Sequence, residues 1–263
     1  MSNHPISAPA ALAAVPCPVC ATQTVPHDVV DFNKNCEEMH QRFLPLAGWP
    51  IYYHRCPECG FVLAPEFQRW SEQDFLHHIY NEEYAAVDPD GAARRPAKDA
   101  AFLQQVFGSA RKQIRHLDYG GGAGALSAAL VKHGWDSASH EPFPRAGQQP
   151  AAPGKYNLIT ALKVFEHVPD VQALLRALTA LMEDEALLVF SALLTDGNIK
   201  PNTRLTWWHA APRNGHISLY SRHSLMRLAD QYGLQFGSFN NGLHCLFNQL
   251  PAWAGPLLNP KAD

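Results

Sequence analysis

The sequence has little charge and no long apolar run. Only 17% of its 263 residues are charged, 21 Lys and Arg stand against 24 Asp and Glu, and the net charge is −3. A field that weak does not draw a chain to nucleic acid or to an anionic membrane. No apolar run approaches the ~20 residues of a bilayer span. Met1 to Pro16 is rich in Ala and Pro and lacks the basic segment that opens a secretory signal. The expectation is a cytoplasmic protein with a flexible lead over 1–16. Its hydrophobic fraction of 46% is that of a chain that buries a core, and its length leaves room for one α/β domain and a small module.

Cysteines are few, six in all, but four of them are paired. Cys17-Pro-Val-Cys20 and Cys56-Pro-Glu-Cys59 form two C-x-x-C knuckles. Each knuckle turn aims two thiolates at one point, and two such turns close a tetrahedron around zinc. A redox C-x-x-C would need a thioredoxin-like βαβ context, which is absent around either pair. A closed four-thiolate site is structural and folds its module, here residues 17–70. Cys36, His40 and His54 lie between the knuckles and are read as core or surface, since two pairs already complete the site. Residues 17–70 hold four Lys/Arg against six Asp/Glu, the wrong sign for gripping RNA phosphates.

The rest of the chain is organised around Ile114 to Leu130. An apolar run ends in Asp118 and Tyr119, breaks into Gly120-Gly-Gly122-Ala-Gly124, and resumes with helical spacing at Ala125, Leu126, Ala129 and Leu130. This is a strand, a tight turn and a helix start, the way a doubly wound α/β domain offers backbone N–H groups to a nucleotide-like ligand. Gly120-x-Gly122-x-x-Ala125 also satisfies the loose dinucleotide pattern of a NAD-dependent oxidoreductase. Asp118 argues against that, because a carboxylate there repels a pyrophosphate. It suits a ligand with an ammonium group and no phosphate, as S-adenosylmethionine (SAM) is. The stretch resembles the first motif of class I SAM-dependent methyltransferases, hydrophobic-Asp-x-Gly-x-Gly-x-Gly. The resemblance implies a Rossmann-like sheet over 71–263, with Asp118, Gly120, Gly122 and Gly124 at the cofactor.

Other segments extend it. Ser71-Glu-Gln-Asp74 caps a helix, Asp88-Pro-Asp-Gly91 breaks the pattern, and Lys98 to Phe107 resumes an amphipathic face. Tyr80 and Tyr84 are four apart and are expected on one helix face, at the cofactor or substrate or simply packed on the sheet. Trp135 to His140 reads as the second strand. Glu141 follows it at the spacing of a ribose-binding acid, or as a solvated loop acid. Pro142 to Gly154 holds four prolines and two glycines and leaves no room for a third helix and strand. The sheet is expected to lack that edge strand or keep a remnant.

Tyr156 to Thr160 is the fourth strand, followed by Lys163-Val-Phe-Glu166-His167-Val-Pro169-Asp170. The passage resembles the Glu-His-hydrophobic-Pro-Asp segment of small-molecule methyltransferases and puts Glu166 at the cofactor. No Asn-Pro-Pro-Tyr-type base-amine motif stands there. A helix over 171–182, a strand over 186–192, a helix over 223–232 and a hairpin turning at Asn240-Asn241-Gly242 complete the domain. Residues 195–222, with Trp207, Trp208, His209, Arg213, His216 and Tyr220, are expected as a substrate lid.

Methyl transfer from a sulfonium needs no acid for its leaving group. An oxygen or carbon acceptor needs a base. His216 and His167 are the candidates; Trp208, Arg213 and Tyr220 join Tyr80 and Tyr84 as candidate substrate contacts. The resemblance implies a methyltransferase with an N-terminal zinc module, acting on a sugar or other biosynthetic metabolite. An RNA methyltransferase and a non-catalytic SAM-binding scaffold are the remaining rivals.

Overall fold

The computed structural model describes residues 13–90, 94–142 and 154–255. Most of the lead and of the proline-rich stretch, 1–12 and 143–153, lies outside them. From the N-terminus, β1 (Val25–Asp31), β2 (Pro50–Arg55) and β3 (Val62–Leu63) are followed by α1 (Glu72–His78), α2 (Tyr84–Val87) and α3 (Arg95–Phe107). Then come β4 (Arg115–Tyr119), α4 (Ala125–Lys132), β5 (Asp136–His140), β6 (Tyr156–Ala161), α5 (Val171–Leu181) and β7 (Met182–Ser191). The chain ends in β8 (Ser218–Leu219), α6 (Arg222–Gln231), β9 (Gln235–Ser238) and β10 (Leu243–Phe247).

The larger sheet has the order β5-β4-β6-β7-β10-β9. Its first four strands are parallel, and β10 pairs antiparallel with both β7 and β9. β4 lies between β5 and β6 with four of its five side chains buried, all but Arg115 at its start. Helices cover both faces. Leu103 and Phe107 of α3 pack with Leu126 and Leu130 of α4 in one core. Leu174, Leu175 and Leu178 of α5 pack with Leu225 and Leu228 of α6 in the other. Among the described residues β5 is the edge strand, as expected where a third strand has no room.

Inside the sheet a polar chain crosses three strands. Ser137 of β5 meets His116 Nδ1 at 2.7 Å, His116 Nε2 meets Thr160 Oγ1 of β6 at 3.0 Å, and Thr160 donates to Asp118 Oδ1 at 2.9 Å. Burial holds His116 neutral, its pKa lowered to about 3. Because the Thr160 proton goes to Asp118, Thr160 accepts from His116 Nε2–H, which fixes the tautomer.

The smaller sheet, β1-β2-β3-β8, is antiparallel throughout and takes its last strand from far along the chain. β8 belongs to the segment expected as a lid. Residues 209–221 of that segment are all buried, and Ile199, Leu205, Ala210, Ile217 and Leu219 share a core with Ile51, Tyr53, Val62 and Phe67. Residues 209–221 form an interior wall whose apolar side chains face the small sheet, while most of 196–206 is exposed. A second difference concerns the tyrosines. α1 ends at His78 and α2 begins at Tyr84, so Tyr80 and Tyr84 do not share a helix face; the chain reverses between them, and their rings still meet at 5.2 Å.

Candidate functional site

The four knuckle cysteines converge. Cys17 and Cys59 Sγ lie 3.6 Å apart, Cys20 and Cys56 Sγ 3.4 Å, and all four sulfurs lie within 4.8 Å of one another. Zinc–sulfur bonds of ~2.3 Å in a tetrahedron require sulfurs about 3.8 Å apart, so the donor set fits zinc. The two knuckles are copies in backbone: Ala21 N–H donates to Cys17 O and Gly60 N–H to Cys56 O, with φ of 60° and 73°. Ala21 adopts the left-handed turn that glycine makes without strain. Of the residues between the knuckles, His54 is buried against Thr24 (3.2 Å), His40 is exposed, and Cys36 reaches the second site described below.

The glycine turn lies at the carboxyl ends of β4 and β6, where the strand order reverses and ligands bind in such sheets. Gly120 N–H donates to His140 O at 2.7 Å, and Gly122 N–H to Glu141 Oε2 at 3.0 Å. Gly120 has φ of 74°, and a Cβ there would stand 2.6 Å from Val164, so turn and β6 loop interlock only through glycine. Gly121, which the motif leaves free, is equally constrained: a Cβ would strike Asp118 and Ser139. Asp118 is buried, and burial raises its carboxyl to about 7 despite the Thr160 hydrogen bond. A buried acid at the mouth of a glycine turn fits an ammonium-bearing ligand such as SAM. It does not fit a pyrophosphate.

A second group gathers beside it. After β6 the backbone turns sharply: Lys163 takes φ of 59° and its N–H donates to Ser191 Oγ at 2.6 Å. Left-handed backbone at a non-glycine residue is strain of the kind found at ligand sites. The turn directs Glu166 inward, where both carboxylate oxygens are buried and have no hydrogen-bond partner among the described residues. His167 Nδ1 lies 3.1 Å from the Tyr80 hydroxyl, and the His167 and His216 rings meet at 5.0 Å. His216 Nδ1 donates to His209 O at 2.9 Å, with Cys36 Sγ 3.6 Å away. The His209 ring lies 4.1 Å from His216, tilted by 45°, its own Nδ1 buried without a partner among the described residues. Burial lowers all three imidazoles, His209 to about 4 and His216 well below 6.5. They are therefore neutral near pH 7.

The small sheet fixes this group. Tyr53 donates to His216 O at 2.7 Å, Cys36 N–H to Asn214 Oδ1 at 2.8 Å, and Lys34 Nζ to the carbonyls of Trp207 and Ala210 at 2.9 Å. The remaining sequence candidates sit around it. Tyr84 donates to Asn214 O (3.3 Å), and Tyr220 is buried with its hydroxyl on Phe165 O (3.1 Å). Arg213 is buried, with its guanidinium on Ile79 O (2.8 Å) and Asn81 (3.1 Å). Trp208 stands edge-on to His209 at 5.2 Å. Cys36 reads in sequence as core or surface because its partner His216 lies 180 residues away. His209 stood unmarked among the aromatic residues of 195–222. A cavity of about 250 Å³ opens beside the β6 turn, lined by Arg95, Asp99, Phe102, Leu162, Lys163, Ser191 and Leu243.

Gly215 holds the wall against the histidines. Its φ is 80°, and a Cβ would stand 2.8 Å from the Tyr80 hydroxyl and 3.1 Å from His167 Nδ1. Gly215→Ala is expected to separate that pair and lower kcat about 10- to 100-fold, as misplacement of a catalytic group by an ångström does. SAH (S-adenosylhomocysteine) affinity should hold, and a parallel loss of SAH affinity would show a general collapse instead.

No curated protein matches the chain. It is similar in structure to an O-methyltransferase family protein from Burkholderia thailandensis (12% identity, TM-score 0.47, 71% of this chain and 67% of that one). It is also similar to the magnesium protoporphyrin IX methyltransferase of Synechocystis with bound SAH (15%, 0.39, 69% and 95%). A Nostoc punctiforme protein described as an O-methyltransferase gives 11% and 0.44 over 63% of this chain, which spans 59% of that protein's length. Residues 91–237, more than half of the chain, match the family profile described as "Methyltransferase domain". With that match, the sheet order and the acid-and-glycine turn together, the chain belongs to the SAM-dependent methyltransferase family.

Proposed function

We propose that residues 71–263 transfer the methyl group of SAM to an oxygen or carbon of a small metabolite, a sugar or similar biosynthetic intermediate. Zinc bound by Cys17, Cys20, Cys56 and Cys59 holds residues 17–70 in place behind the acceptor site. Asp118 takes the ammonium of SAM, the N–H groups around Gly120, Gly122 and Gly124 take its carboxylate end, and Glu141 takes the ribose hydroxyls. SAM supplies the electrophilic methyl carbon. His216 is the base that removes the acceptor proton, and His167, held by Tyr80, orients the acceptor. Glu166 stands where cofactor and acceptor sites meet.

The observation that carries this reading is the set of neutral, buried imidazoles beside the glycine turn. An imidazole with Nδ1–H donated to a backbone carbonyl, as in His216, keeps Nε2 as a proton acceptor. An amine acceptor would not need it. A water-poor, neutral site also suits an uncharged polyol better than a nucleic acid, whose phosphates would meet an acidic module. Calorimetric titration of the zinc-loaded protein with SAH, with NAD as control, tests the cofactor. Micromolar SAH binding with no NAD binding is expected; binding of NAD alone would overturn the reading. An acceptor screen by mass increase of one methyl group then tests the substrate class, and modification only of RNA would sink it.

A further inference from the structure

We propose that Glu166, His167 and His216 form a second metal site, for a divalent transition-metal ion that binds the acceptor through two adjacent oxygens. The inference rests on the methyltransferase reading of the same crevice and gives His216 a different task within it: Nδ1 is already spent on His209 O, so an Nε2 that holds an ion is no longer the base, and the zinc count below decides between the two roles. One ligand atom from each of these residues lies within 4.8 Å of the others. Two imidazoles and one carboxylate on one side of an ion leave coordination positions open on the other, and imidazole favours zinc, iron, cobalt or nickel over magnesium or calcium.

Three observations support a bound ion over a fortuitous cluster. First, both Glu166 oxygens are buried and unpartnered among the described residues, with the residue 2% exposed. A buried carboxylate is costly unless something positive meets it, and no Lys or Arg side chain within bonding distance of Glu166 is found among the described residues. Second, each imidazole is already held through Nδ1, His167 by the Tyr80 hydroxyl and His216 by the His209 carbonyl. Metal-binding histidines are oriented in this way, the outer nitrogen donating to a carboxylate, carbonyl or water so that the other faces the ion; His216 meets this through His209 O, and His167 meets it in the tautomer that donates to the Tyr80 hydroxyl. Third, the group stands on rigid supports. The β6 turn carries Glu166 and His167, and Tyr53 of the small sheet fixes His216 from behind.

A rival trio, Cys36, His209 and His216, also comes within 4.8 Å. There Cys36 faces His216 through Nδ1, which is spent on His209 O. Glu166 would stay unanswered. The first trio satisfies both. Its open side takes an acceptor with two neighbouring oxygens, such as a vicinal diol, an α-hydroxy ketone or a catechol, because a chelating pair holds one oxygen in line with the methyl carbon.

The test is zinc content after dialysis against buffered micromolar zinc, with SAH calorimetry and thermal melting on the same samples. Wild type is expected to hold two zinc ions per chain. Glu166→Gln and His216→Gln are expected to hold one, the four-cysteine ion, with SAH affinity in His216→Gln within about threefold of wild type. One zinc in wild type, or two in Glu166→Gln, overturns the site while normal SAH binding leaves the methyltransferase reading standing. Loss of SAH binding by wild type would overturn that reading instead. Should Glu166→Gln melt early, His216→Gln and His167→Gln decide, and two zinc ions in both overturn the proposal.

Discussion

Stripping zinc with a chelator, or replacing Cys59 by Ser, is expected to abolish methyl transfer rather than release a working catalytic domain. Structural zinc contributes roughly 10–16 kcal/mol in zinc-finger peptides, about as much as the whole stability of a domain, ~5–15 kcal/mol. The knuckle sulfurs are part of the main core: Cys17, Cys56 and Cys59 pack in one cluster with Leu225 and Leu228 of α6 and Phe165 beside Glu166. Ser221, which caps α6, donates to the Cys59 carbonyl. β3 pairs with β8, two residues past His216. Losing the ion therefore loosens α6, β8 and the Tyr53 contact together. Leu117 and Tyr119 beside the glycine turn share that cluster, but among the described residues no hydrogen bond ties the turn to the knuckles, so SAH affinity should outlast turnover as chelation proceeds. The check is turnover, SAH titration and melting at graded zinc occupancy. Full turnover at zero occupancy would sink the coupling.

Asp118→Asn is expected to raise the dissociation constant for SAH about 10- to 100-fold, the ~1.5–3 kcal/mol of a hydrogen bond to a charged group. Burial raises the carboxyl to about 7 in the free protein, and an ammonium ligand draws it down, so binding releases a proton below that pH. SAH affinity should be level above pH 7 and fall about tenfold per unit beneath it, and Asp118→Asn should flatten the profile. For folding the sign is opposite. A carboxyl raised in the folded state favours the fold below its ordinary value of 3.8, and that contribution is lost as pH rises through about 7. The rise in melting temperature on adding SAH should thus be larger at pH 8 than at pH 5.5. With SAM saturating, kcat should show no loss near pH 6.5 from His167 or His216, since burial lowers both. An acid limb centred at 6.5 would count against them as the base.

The parts of the fold legible in the sequence are those with local causes. Asp118 and the glycines announce their turn because only glycine allows the approach of Val164, and Ser71 announces α1 because it forms a capping box. That β5 is the edge strand among the described residues agrees with the shortness and proline content of the stretch before Tyr156. The four cysteines declared their convergence through spacing alone. What stayed hidden depends on contacts between distant segments. A four-residue interval between Tyr80 and Tyr84 looks helical, yet the chain turns between them and the rings meet across the turn. The aromatic stretch 195–222 reads as a lid from its length, but its apolar residues serve a sheet whose other strands lie more than 150 positions earlier. Neither Cys36 nor His209 has a neighbour in sequence that would mark it. The histidines were visible; their neutral state required knowing how deeply they are buried.

The chain from Ser137 through His116 and Thr160 to Asp118 bears on something other than the ligand. It joins β5, β4 and β6, whose backbones would pair almost as well one residue out of step. Slippage by one position would turn His116 and Thr160 to the opposite faces of the sheet and leave three buried polar groups without partners, at ~1–3 kcal/mol each. The polar chain thus acts as an alignment key for the parallel strands during folding. A protein with Val at both His116 and Thr160 could remain stable, while its glycine turn sat in more than one place relative to β6.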